Sequence, residues 1–139
     1  MRSIVLLFLL SLCACSPSNE DLSSLASQQF RESGEREESW LHDGKLHFSN
    51  AVEWQQASFQ NKRSTASDFL LALNEQGRLS IDVSSNVSLK RHSEELANSL
   101  NEMFKIIGPA TENTKKYQGQ LVSDAVVLIA SQKGWLQNV

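Results

Sequence analysis

Apolar positions along this chain fall into three regimes. From Ile4 to Leu12 they run without a break except for Ser11. Residues 16–39 are dense in Ser, Glu, Gln and Arg, and only Leu22, Leu25, Ala26 and Phe30 break the polarity. From Trp40 onward, apolar residues recur at helical spacing. The first run is about half the roughly 20 residues needed to cross a bilayer. With Arg2 ahead of it and small residues behind, it has the anatomy of a signal peptide that is removed. In the second regime, spacings of three and four predict one short amphipathic helix, with Ser18 and Asp21 as its capping box. Arg31 to Ser39 (RESGEREES) then predicts a solvated linker. Two readings of this regime stand: a polar tether, or a segment that docks on something.

The third regime carries the folded part. Asn50 followed by Glu53 is a capping signature, after which Ala51, Trp54, Ala57 and Ser58 share a helical face. Thr65 and Asp68 repeat that signal ahead of Phe69, Leu70, Ala72 and Leu73, and Gly77 supplies a stop. Leu79, Ile81 and Val83 alternate strictly, as do Val87 and Leu89, which allows a minor β-hairpin near 79–89. Ser93 is placed to cap a helix carrying Leu96, Leu100, Met103, Phe104 and Ile107, with Gly108-Pro109 as terminator. A last helix is predicted from about Tyr117 to Gln132, with Gly134 at its end and Trp135 packing back. The expectation is an all-α fold: a small single-domain bundle of about four helices.

Leu12-Cys13-Ala14-Cys15 reads Leu, small, small, Cys, and so resembles the lipobox of bacterial lipoproteins. That resemblance implies cleavage between Ala14 and Cys15, a diacylglycerol thioether on Cys15 and acylation of the new amino group. Ser16 follows the lipidated position. By the sorting rule of such lipoproteins, the lack of Asp there implies delivery to the outer membrane, facing the periplasm. The alternative is an ordinary secreted protein. The chain then divides into a signal peptide (1–14), a lipidated Cys with its polar tether (15–39) and a helical domain (40–139). Within the domain, WLHDGKLHFSNAVEWQQASFQNKRSTASDFLLAL, EELANSLNE and Gly134-Trp135 resemble a recurring pattern in small uncharacterised helical bacterial proteins. The resemblance covers roughly residues 40–136. It implies a compact, mostly helical domain and supplies no mechanism.

Composition narrows the function classes. Loss of Arg2 with the signal takes the formal net charge from −3 to −4. Nucleic-acid affinity rests on neutralising phosphates, so no nucleic-acid partner is expected. Both cysteines lie at 13 and 15, which leaves the domain no disulfide, no Cys-based zinc site and no cysteine nucleophile. Stability must come from packing, and Trp40, Trp54 and Trp135 are the expected core anchors.

Candidate chemistry is sparse. His42 and His47 flank Asp43 at a spacing that suits no single helix face and completes no ligand set, so no metal and no cofactor are expected. His92 is expected at the solvent edge. Serines are plentiful, but no G-x-S-x-G appears and no catalytic residue is assigned. Glu94 and Glu95 are expected in the first turn of a helix, where they complement its dipole. Asn61, Lys62, Arg63, Thr65 and Asp68 form the densest polar cluster near Trp54. It reads either as a partner surface built on Asn61, Lys62, Arg63 and Asp68, or as a capped interhelical turn. The leading functional expectation is a lipid-anchored, non-catalytic accessory module that meets an envelope protein partner. The alternatives are a small-ligand binder with a pocket lined by Trp54 and Phe69, and a small envelope hydrolase.

Overall fold

The computed structural model describes residues 40–137, and the lipobox, Cys15 and the expected helix around Leu22–Phe30 lie outside them. Five helices make up the described domain: α1 (Ala51–Gln56), α2 (Phe59–Glu75), α3 (Asn86–Met103), α4 (Ala110–Tyr117) and α5 (Val122–Gln132). The domain is all-α; no sheet is present among the described residues, which contain only two isolated bridges.

Local signals explain the helix ends. The Asn50 side chain accepts from the backbone of Val52 and Glu53 while the Glu53 carboxylate accepts from the Asn50 N–H, a complete capping box. Gly77 takes φ 65° immediately after the C-cap of α2, and Gly134 takes φ 68° after that of α5. Both are left-handed positions that glycine adopts without a Cβ penalty.

Several expected boundaries move. Ala57 and Ser58 are not on the face of α1: Ala57 ends it, and the Ser58 hydroxyl caps α2 by accepting from Asn61 N–H. Thr65 and Asp68 are therefore interior positions of α2, not caps. Ser85 is the cap of α3, which places Val87 and Leu89 in its first turns and removes the expected hairpin. Of the alternating residues only Leu79 bridges, and it pairs with Leu136; Ser80 N–H donates to Trp135 C=O at 2.8 Å. Ser93, Glu94 and Glu95 then lie mid-helix. α3 ends at Met103, ahead of Gly108-Pro109, and Pro109 instead opens α4. The expected last helix starts at Val122 instead of Tyr117, which ends the unpredicted α4; between them Leu121 takes extended geometry and bridges Asn50.

Trp54, Leu70, Leu96, Leu100, Phe104, Val122 and Val126 form the centre of the core, all essentially without solvent exposure, and Trp40 and Trp135 are buried at its edges. α2 packs most extensively on α3, which also contacts α5, and α1 packs on α4. The buried stretch of α2 is Ser64-Thr65-Ala66-Ser67, and α3 contributes Ser93 and Ala97. Small side chains let neighbouring backbones approach closely. The hydroxyls of Ser67 and Ser93 are buried without a hydrogen-bond partner among the described residues.

Candidate functional site

The polar cluster on α2 divides by helix geometry. Asn61, Thr65 and Asp68 are four and three residues apart, which puts them in a row on one face. Three consecutive backbone donors of the preceding segment meet that row. Gly44 N–H donates to Asp68 Oδ2 at 3.0 Å, Lys45 N–H to Asn61 Oδ1 at 2.9 Å, and Leu46 N–H to Thr65 Oγ1 at 3.3 Å. His47 Nε2 lies 3.0 Å from the same Asp68 oxygen, and its ring stands edge-on to Phe69 at 5.4 Å. A Cβ on Gly44 would collide with the Thr65 backbone, so this close approach requires glycine. The row is thus a clasp that supplies a non-helical segment with the acceptors a strand would give it. It is not the capped interhelical turn of the sequence reading, since all three acceptors sit inside one helix.

Arg63 turns elsewhere. Its guanidinium stacks 5.0 Å from the Trp40 ring and pairs with Glu94 on α3 at 3.0 Å. Lys62 takes a third direction: its ammonium lies 5.8 Å from the centre of the Trp54 ring, and partial burial holds its pKa below the usual lysine value. It borders a pocket of about 360 Å³ with Gln55, Asn101, Lys105 and Ile106, backed by buried Trp54 and Phe104. Phe69 is absent from that lining; it packs beside His47 instead. Trp54 Nε1–H donates to Asn101 Oδ1 at 3.1 Å, across 47 residues of sequence. Gln55 and Asn113 exchange amide hydrogen bonds of 2.7 and 3.2 Å, and Gln55 also donates to Phe104 C=O.

A larger opening, about 910 Å³, runs between α3 and α5. Val87, Met103 and Ile129 give it apolar surface, and Lys90, Arg91 and Glu102 stand among its charged residues. Lys133 reaches across to Glu95 at 2.7 Å. Glu94 and Glu95 therefore make interhelical ion pairs, in place of the expected role in a first turn. Beside this opening His92 is largely covered, against the expectation of a solvent-edge residue. Its ring stands edge-on to Trp135 at 5.2 Å; Nε2 accepts from Arg91, and Nδ1 is buried without a hydrogen-bond partner. Burial, helped by the Arg91 charge, holds its pKa below the usual histidine value against the opposing pull of Glu95 and Asp82.

His42 is exposed and away from the clasp bonds that His47 makes. Among the described residues no group of three or more His, Cys, Asp or Glu is arranged to hold a metal ion, and no helix is long and apolar enough to cross a membrane. Lys105, Asn101 and Ile106 had no signal in the sequence, because what joins them to Trp54 is the approach of α1 to the end of α3, with the Trp54–Asn101 bond across 47 residues. No protein-family profile, curated protein or solved structure matches the chain.

Proposed function

We propose that this chain is a lipid-anchored periplasmic protein that works as a non-catalytic accessory module, with the α3–α5 groove as its partner-facing surface. The anchor rests on the Leu12–Cys15 spacing. Two or three acyl chains, each buried CH₂ contributing about 0.8 kcal/mol, hold far more firmly than one. Confinement to a membrane raises the local concentration of a partner confined there too. The observation that carries the binding reading is the groove itself: an open groove of about 910 Å³ between α3 and α5, where Val87, Met103 and Ile129 lie among side chains of both charges. Val87, which lines it, is 82% exposed and offers apolar surface there.

A photo-crosslinking residue placed at Asn98 in the groove, and separately at exposed Asp43 beside the clasp, tests this in intact envelopes. The expected outcome is a discrete protein adduct from Asn98 and none from Asp43. Val87→Asp should lower the yield while leaving the melting temperature unchanged. Equal adducts from both positions, or none from Asn98, would overturn the groove. An unmodified mature N-terminus by mass spectrometry would overturn the anchor.

A further inference from the structure

The Trp54 pocket shares no lining residue with the groove, and its hydrogen-bonding inventory is one-sided. Its side-chain acceptors are used internally, and so are two of its carbonyls. Gln55 Oε1 accepts from Asn113, Phe104 C=O accepts from Gln55, and Lys105 C=O accepts from the Tyr117 hydroxyl at 2.9 Å. Asn101 Oδ1 is fixed as the oxygen by the indole N–H that it accepts, which leaves the Asn101 amide NH₂ as a donor. Lys62 and Lys105 add two ammonium groups, neither paired with a carboxylate among the described residues. No acidic side chain lines the pocket.

The carbonyl end of α3 lies here and opposes an anion with roughly half a unit charge, which two full lysine charges outweigh. Ile106, 67% exposed, and the lysine stems offer apolar surface beside the donors. We infer that this pocket binds a small organic carboxylate, its charge held by Lys62, Lys105 and the Asn101 amide and its apolar body resting on Ile106. The partial burial of Lys62 fits this role: an ammonium with part of its hydration removed gains more from an anion than one fully in water.

The test is an NMR titration of the ¹⁵N-labelled full chain in detergent, following the Trp54 indole N–H. N-acetyl-leucine is one ligand and N-acetyl-leucine amide, which lacks the charge, the other. The acid should shift the resonance saturably, and the amide should bind at least about tenfold more weakly, as expected for loss of a charge-assisted contact. Lys105→Gln should weaken the acid by a similar factor, and so should Lys62→Gln. If the Lys62 variant does not fold, exposed Lys105 decides alone. No saturable shift, equal response to acid and amide, or unchanged affinity in Lys105→Gln would each overturn the assignment.

Discussion

Asn61 and Lys62 are neighbours in sequence, yet they belong to regions of α2 that use polar atoms in opposite ways. On the Asn61 side, the polar atoms meet one another: three helix side chains take three consecutive backbone N–H groups, and Asp68 also meets His47. On the Lys62 side the acceptors are consumed and the donors are left over. A dense polar cluster in a sequence is therefore not evidence of a site. What distinguishes the two regions is the remainder after internal pairing, and that remainder is a property of packing rather than of composition.

The most damaging way to break the comparison is Trp54→Ala, since the ring backs the pocket and also lies at the core's centre with no exposure. A cost of about 3–5 kcal/mol is expected. Chemical denaturation would read it, and a loss within roughly 0.5 kcal/mol would contradict the packing described. Gly44→Ala attacks the other region. Its methyl meets Thr65 backbone, which no side-chain rotation relieves, and a loss of about 1–3 kcal/mol is expected. Carboxylate binding by this variant, read by the NMR titration, should be unaltered, because the clasp lies apart from the pocket.

The smallest effect is a pH dependence at a third polar site. His92 has a folded-state pKa below its unfolded value, so the unfolded chain binds the proton more readily. Its contribution to stability is fully present above about pH 6.5 and is lost progressively as the pH falls toward the lower folded-state value. Denaturation midpoints of the wild-type chain and His92→Gln, compared at pH 7.5 and 5, should converge at the acid end. A constant difference would show that His92 stays neutral in both states or charged in both.

Much of the fold was legible where the determinant is local. The Asn50–Glu53 box, the Gly77 and Gly134 stops and the three buried tryptophans each need only a few residues to specify them. The misread caps share a cause. Thr65 and Ser93 are buried small residues that let elements approach, and a small polar residue ahead of apolar ones has the same signature as a cap. Val87 and Leu89 continued an alternation that the Ser85 cap interrupts. The late start of α5 goes with the bridge of Leu121 to Asn50, 71 residues away, which no window of local sequence contains. Of the cluster residues, Lys62 borders the pocket, while Asn61 and Asp68 hold the clasp. Its companions are Asn101 from the last turn of α3 and Lys105 from just beyond its end.

The clasp also has a mechanical consequence. A pull applied to the chain ahead of Trp40 reaches the described domain through Trp40 and then through residues 44–47. Those residues are fastened to the middle of α2 at Asn61, Thr65 and Asp68, not to either of its ends. The load therefore arrives at a helix packed extensively on α3, spread over three hydrogen bonds and the Arg63–Trp40 stack. A helix drawn from its end unwinds turn by turn, each bond failing alone. One gripped at mid-length must shear several bonds together, so this domain should resist force from its N-terminal side better than the same pull applied at Trp135.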